Sequence, residues 1–168
     1  MKLRKLQEKD IPGMLEWMHD PDLNQYFLFD ASNQTEEQSK IFVQRSMSST
    51  NKHFAIADDK DVYQGTISLK NISYANQTAE FALSLRKQAI GTGTAAWATK
   101  ELLQKAFNEF KLNRVYCNVL SDNIRSQRYV IKAGFQYEGE FVCHVKKNQQ
   151  FKNLKWYAIL KEEYEARI

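Results

Sequence analysis

The chain has 168 residues, of which 43 % are hydrophobic and 26 % are charged, and its formal net charge is +4. This composition is typical of a globular protein and predicts one domain over residues 1–168. The basic residues are scattered, so we do not expect a nucleic-acid partner. No apolar run approaches the ~20 residues of a membrane helix, and the N-terminus does not resemble a signal peptide. We therefore expect a cytoplasmic protein without a membrane partner.

The first half of the chain predicts a strand, two helices and an antiparallel meander. Residues 2–6 alternate in polarity and favour a short strand. Asp10 is expected to start the first helix and Thr35 to cap the second. Three alternating segments then predict strands at residues 53–57, 62–69 and 78–85.

The second half of the chain predicts two helices and three strands. The helices are expected at about 93–110 and from Asn123 to Gly134, and the strands at 114–120, 135–145 and 151–160. A strand, a helix and a strand in succession over residues 78–120 imply a parallel crossover. The pattern therefore predicts an α/β fold of the α+β type, with a mixed and mainly antiparallel sheet.

Two glycines at the start of the long helix indicate an anion site. Residues 88–93 read QAIGTG, and exposed amides at a helix N-terminus bind phosphate where glycine permits close approach. Gly91, Gly93 and Ala96 also satisfy the dinucleotide pattern G-x-G-x-x-G/A, but an antiparallel meander precedes them instead of repeated βαβ units. A P-loop is excluded because no Gly-Lys-Ser/Thr closes the turn. An ordinary flexible turn is the remaining alternative.

The same six residues carry a resemblance to a known family. QAIGTG matches the pyrophosphate pattern Q/R-x-x-G-x-G/A of the GNAT superfamily of acyl-CoA-dependent N-acyltransferases. A second match follows, because NIRS (123–126), KAGF (132–135) and YEG (137–139) resemble the signature N-x-x-S/A … K-x-G-F … E-G. The N-terminal LEW (15–17) and DP (20–21) are similar to the branch that includes ribosomal-protein N-terminal acetyltransferases and amino-sugar acetyltransferases. The resemblance covers nearly the whole chain.

This resemblance implies a fold and a co-substrate. The fold would have about seven strands and about four helices, with the pantetheine arm of acetyl-CoA lying between splayed strands four and five. No metal is implied, and the protein would be a monomer or a homodimer. Arg86, Lys87 or Arg125 would meet the 3′-phosphate, or would be solvated surface charges. The residues expected to contact the cofactor are Leu83, Ser84, Leu85, Gln88, Ala89, Gly91, Thr92, Gly93, Thr94, Asn123 and Ser126.

The catalytic residues depart from the family pattern, because many relatives have a tyrosine acid where this chain has Val130. Tyr129 is adjacent, although one helical step turns it ~100° away. It is a candidate acid, or a residue that packs or contacts the substrate. Some relatives place a glutamate where this chain has Asn118. Glu80 is the best remaining base, because partial burial raises a carboxyl pKa, unless it is solvated. An ordered water could also replace both side chains.

The expected acceptor contacts are Trp17, Tyr26, Phe27 and His144, each of which could instead be a structural residue. The sequence shows no acidic cluster of the kind that a polyamine site needs. We therefore expect acetyl transfer from acetyl-CoA to a small amine, such as an amino sugar, or to a protein N-terminus. The missing tyrosine leaves one alternative, a non-catalytic CoA-binding sensor. Cys117 and Cys143 are both expected to be buried apolar residues in strands.

Overall fold

The computed structural model describes residues 1–167, which contain one seven-stranded sheet in the order β1-β2-β3-β4-β5-β7-β6. The strands are β1 (Lys2–Lys5), β2 (Lys52–Ala57), β3 (Tyr63–Ser73), β4 (Thr78–Leu85), β5 (Arg114–Leu120), β6 (Gln136–Lys147) and β7 (Gln150–Leu160). β4 and β5 are parallel, and the other neighbours are antiparallel. The predicted mixed, mainly antiparallel sheet is confirmed.

Six α-helices accompany the sheet within residues 1–167. They are α1 (Ile11–His19), α2 (Pro21–Asn24), α3 (Glu36–Gln44), α4 (Thr94–Gln104), α5 (Ile124–Lys132) and α6 (Lys161–Glu165). The sequence predicted α1, α3, α4 and α5, and it missed the short α2 and α6. α2 exists because the Asp20 side chain accepts a hydrogen bond from the Asp22 amide, which caps this single turn.

Two predicted helix signals have different outcomes. Thr35 caps α3 in a reciprocal box with Gln38. Asp10 precedes α1, but its buried carboxylate binds the Gln7 amide at 2.9 Å and the Arg4 guanidinium at 2.7 and 2.8 Å instead of the α1 amides. The hydrogen bond to Asp10 raises the pKa of Arg4 above its usual value, so the Arg4 guanidinium stays charged.

Apolar side chains pack on both faces of the sheet. α4, α5 and α6 cover one face, where Leu102, Phe107 and Val130 are buried. α1 and α3 cover part of the other face through Met14 and Val43. α4 then continues as a π-helical turn, Lys105–Glu109, instead of the single α-helix predicted to residue 110.

The two cysteines lie in different environments. Cys117 is buried in β5, as expected, but Cys143 is exposed. The expectation for Cys143 is wrong because the β6–β7 register shifts between Phe141 and Val145, and Cys143 adopts a φ of 52° in that bulge on the edge strand. Within residues 1–167, no helix has both the length and the apolar character that a membrane crossing requires.

Candidate active site

The central feature of the site is a gap between two parallel strands. β4 and β5 pair only from Thr78–Arg114 to Glu80–Tyr116, although both strands continue for several residues beyond that point. The predicted splaying of strands four and five is therefore confirmed. Backbone groups in the rest of β4 face a gap on the β5 side.

The direction of these backbone groups follows from one hydrogen bond. The Arg86 amide donates to the Gln64 carbonyl, at 2.9 Å, toward the β3 side, and the β3–β4 register is continuous from Glu80 to Leu85. Because N–H and C=O groups alternate in direction along a strand, the odd-numbered residues present theirs to the gap. Leu83 and Leu85 thus offer donors and acceptors to an extended ligand.

A cavity of about 400 Å³ occupies this gap. Its lining comes from both splayed strands, Lys70 on β3, α2 and the loop after it, the glycine turn and the first turns of α4 and α5. The lining contains six of the residues expected to contact the cofactor: Leu83, Ser84, Leu85, Gly91, Asn123 and Ser126. It also contains Asn118 and Val130. The other expected cofactor residues, Gln88, Ala89, Thr92, Gly93 and Thr94, form the turn that continues from it.

The glycine turn has the geometry of an anion site. Gly91 and Gly93 adopt φ values of 80° and 87°, and a Cβ added at either would meet no atom within 4 Å. The space in front of the turn is therefore open. Gly93 precedes α4 without a side-chain cap, and the Thr94 amide makes only a long contact of 3.5 Å to the Thr92 hydroxyl. The positive end of the helix dipole therefore faces this space. The Thr92 hydroxyl donates to the Ala89 carbonyl at 2.8 Å and stabilises the turn.

The start of α5 closes the same side of the cavity. Asn123 caps α5 by accepting a hydrogen bond from the Ser126 amide at 3.1 Å. Gln88, in contrast, is exposed and contacts the Gln64 side chain at 3.4 Å. Ala89 is buried behind the turn. Only its backbone groups, and not its side chain, could therefore contact a ligand.

The three cations expected near the 3′-phosphate differ in their surroundings. Arg86 donates to Glu16 at 3.0 Å and to the Tyr63 carbonyl at 3.2 Å. Lys87 forms an ion pair with Asp22 at 3.3 Å, which raises the pKa of Lys87. Arg125 lines the cavity instead. The first two are therefore engaged by acids of the α1–α2 region, whereas Arg125 lies where a ligand could meet it.

Tyr129 lies in the cavity lining, but its hydroxyl is engaged by α4. It donates to the Ala95 carbonyl at 2.9 Å and shares a hydrogen bond of 2.5 Å with Thr99. Burial raises the pKa of Tyr129 above its usual value. Through these contacts the Tyr129 side chain joins α5 to α4.

Glu80 is the acidic residue in the lining, among those described. Its carboxylate pairs with Lys70 at 2.7 Å and accepts a hydrogen bond from the side-chain Nδ2 of Asn71 at 2.8 Å. The Glu80 side chain is only 14 % exposed, so the expectation of a half-buried carboxylate describes it better than the solvated alternative. Sequence reasoning missed Lys70, because a lysine in an alternating strand has no distinctive signal.

The four expected acceptor residues separate into two pairs. Tyr26 and Phe27 line the cavity, and Phe27 stacks on Phe29 at 5.6 Å. Trp17 is a core residue instead: it is 4 % exposed, and its indole donates to the buried Tyr63 hydroxyl at 2.9 Å. His144 lies outside the lining, on the exposed edge strand β6, against Phe141.

Two further residues near the cavity were not among the expected site residues. Cys117 lines the cavity, but burial raises the pKa of its thiol to about 12, so it is not a thiolate nucleophile. Lys147, on the β6–β7 hairpin, donates to the Phe27 carbonyl and lies 3.4 Å from the Asn24 carbonyl. This lysine, which the sequence did not single out, fastens the loop that carries the aromatic residues.

Comparison with known proteins agrees with this geometry. A family model described as an acetyltransferase (GNAT) domain matches residues 1–136. The uncharacterized N-acetyltransferase YnaD of Bacillus subtilis (strain 168) is 27 % identical over 163 residues, covering 96 % of this chain and 94 % of YnaD. A second relative from the same organism, YdaF, is named as a candidate ribosomal N-acetyltransferase. It is 33 % identical over 102 residues, which cover 61 % of this chain and 56 % of YdaF.

A solved structure shares the fold over almost the full length. The spermidine N-acetyltransferase of Vibrio cholerae in complex with CoA and spermine superposes with a TM-score of 0.88, at 20 % identity, over 98 % of this chain and 97 % of that one. The chain belongs to the GNAT acetyltransferase family and is an acyl-CoA N-acetyltransferase. This assignment favours an enzyme over the alternative of a non-catalytic CoA sensor.

Proposed function

We propose that this chain transfers the acetyl group of acetyl-CoA to a primary amine held beside Tyr26 and Phe27. The observation that carries the proposal is the end of β4–β5 pairing at Glu80, which leaves a lined gap that leads to the open glycine turn. A gap with unpaired strand groups suits an extended amide-bearing arm, and an uncapped helix N-terminus suits a pyrophosphate.

Each part of acetyl-CoA would meet a different set of residues. Leu83, Ser84 and Leu85 would bind the pantetheine amides, and Asn123 and Ser126 would contact the same arm from α5. Gln88 and Ala89 would extend the turn around the pyrophosphate. Arg125 would meet the 3′-phosphate. The residues proposed to hold the pyrophosphate through backbone amides are Gly91, Thr92, Gly93 and Thr94.

The chemistry requires a neutral amine, a stabilised oxyanion and a leaving thiolate. Glu80 would accept the proton of the incoming ammonium, directly or through a water. The amine nitrogen would then bond to the thioester carbonyl carbon, and a β4 amide directed into the gap, at Leu83 or Leu85, would donate to the oxyanion. The C–S bond would break as the amide forms, and the second proton of the attacking nitrogen would pass, directly or through a water, to the departing CoA thiolate. Tyr129 would not act as the acid, because its hydroxyl already donates its proton to the Ala95 carbonyl.

The decisive experiment compares acetyl-CoA binding by calorimetry in two double variants. In one, Gly91→Asp is combined with Gly93→Asp; in the other, Gly91→Asn is combined with Gly93→Asn. Asparagine and aspartate have the same size and both tolerate positive φ, so the pair differs only in charge. We expect the Asp variant to lose at least ~100-fold more affinity than the Asn variant, since two carboxylates would face the pyrophosphate at short range.

Two outcomes would contradict the proposal. Equal affinity in the two variants would mean that no phosphate lies at this turn. Failure of the folded wild type to bind acetyl-CoA would remove the transferase function from this cavity altogether. Circular dichroism of both variants would establish that they fold.

A further inference from the structure

The charges of the cavity lining restrict the acceptor further than the family does. Within the described residues, the charged members of the lining are Lys70, Glu80 and Arg125. One carboxylate therefore stands against two cations. The rest of the acceptor side is apolar or aromatic and comprises Leu23, Tyr26, Phe27, Leu28 and Phe29.

The single carboxylate is already neutralised by a neighbouring strand. Lys70 on β3 and Glu80 on β4 are directly paired across the sheet, and their side chains are only 35 % and 14 % exposed. Partial burial keeps this pair from being screened as a surface pair would be. A second ammonium in the cavity would therefore meet a carboxylate whose charge is balanced by Lys70.

The acids of the adjoining loop are also engaged. Asp20 and Asp22 lie within 3.7 and 3.3 Å of Lys87, respectively. Asp30 accepts hydrogen bonds from Ser32 and Asn33, which lower its pKa. None of these three acids belongs to the cavity lining, so the loop does not supply the negative charge that the cavity lacks.

An amine with one charge and an amine with several charges meet this site differently. A monoamine loses its only charge when it becomes the nucleophile, and an aromatic face such as Phe27 can hold its flat or apolar body. A polyamine keeps its remote charges during the reaction. Each remote charge must be desolvated beside Lys70 without a free carboxylate, which is unfavourable.

We infer that the acceptor is a monocationic primary amine with a flat or apolar body, and that Lys70 excludes polyamines from the cavity. This inference rests on the proposed transferase function. It separates the chain from the Vibrio cholerae protein of the same fold, whose structure contains spermine. Lys70 is a specificity residue, because it acts on the part of the acceptor that does not react.

The test uses two acceptors of equal length that differ in one remote charge, hexylamine and 1,5-diaminopentane. CoA release is measured with each amine, and the ratio of the two kcat/KM values is compared between proteins. Replacing Lys70 also alters the surroundings of Glu80, but this effect on the base is the same for both amines and cancels in the ratio. We expect the wild type to prefer hexylamine by about tenfold, the size of one charge–charge contact at a water-accessible position. Lys70→Met should reduce the ratio to near one, whereas Lys70→Arg, which keeps the charge, should preserve it.

A wild-type ratio of one, or a preference for the diamine or for spermidine, would overturn the inference. So would a ratio that Lys70→Met leaves unchanged. Failure of the proposed function has a different signature, namely no CoA release with any amine. In that case, calorimetric binding of the two amines to the CoA-loaded protein still decides the charge preference, with the wild type, the same two variants and the same expected ratios.

Discussion

The two sides of the cavity are built in opposite ways. The cofactor side consists mainly of backbone groups from one continuous segment, residues 83–94, and from the start of α5. The acceptor side consists of side chains from segments far apart in the chain, including Phe27, Lys70 and Glu80. Backbone recognition requires glycines at fixed spacing and so leaves a motif in the sequence, whereas side-chain recognition across strands leaves none.

The largest expected effect is a loss of kcat on the acceptor side that leaves acetyl-CoA binding on the cofactor side unchanged. Glu80→Gln should lower kcat ~100-fold or more, because a general base contributes that amount, while the Kd of acetyl-CoA stays unchanged. Steady-state kinetics and calorimetry on the same preparation measure both quantities. Glu37→Gln, an exposed carboxamide substitution on α3, controls for the loss of one negative charge. A Glu80→Gln variant with wild-type kcat at all pH values would assign the base to water.

A second experiment measures how acid destabilises the acceptor side of the molecule through His53, a histidine near Lys70. His53 is largely buried against Phe42 and bonds the Ser68 hydroxyl at 2.7 Å. Burial, with a smaller contribution from Lys70, lowers the pKa of His53 from 6.5 to about 4. The unfolded chain therefore binds more protons between these pH values, and the free energy of unfolding should fall by about 3 kcal/mol as pH drops from 6.5 to 4.

Denaturant titrations across that pH range measure this loss. His53→Gln, which cannot titrate, should flatten the curve, whereas the exposed control His144→Gln should not. Equal slopes in the wild type and His53→Gln would show that another group is responsible for the acid sensitivity.

The smallest expected effect lies on the cofactor side. Tyr129→Phe removes a hydroxyl that bonds Ala95 and Thr99, so the free energy of unfolding should fall by about 1 kcal/mol. Its kcat should change far less than the ~100-fold that loss of a general acid produces. Thermal unfolding and kinetics decide between the two roles. A large loss of kcat with unchanged stability would restore Tyr129 as the acid.

The sequence predicted the strand order along the chain, the four longer helices and the glycine turn, since periodicity and capping are local properties. It also predicted Tyr26 and Phe27 in the cavity, but only because the family resemblance pointed to that loop. It could not locate Trp17, because an aromatic residue on an apolar helix face fits a core and a pocket equally well. The Lys70–Glu80 pair depends on the β3–β4 register, which sequence alone does not fix.

The Lys147 contact has a consequence for how the protein folds. The lysine and the Phe27 carbonyl that it binds are 120 positions apart in the chain, so this contact has a high contact order and a large loop-closure cost. The segment 78–132, in contrast, holds β4, α4, β5 and α5 within a short stretch. During synthesis the amine half of the cavity is therefore completed only when the β6–β7 hairpin has emerged, and β5 of the CoA half gains its β7 partner at the same stage.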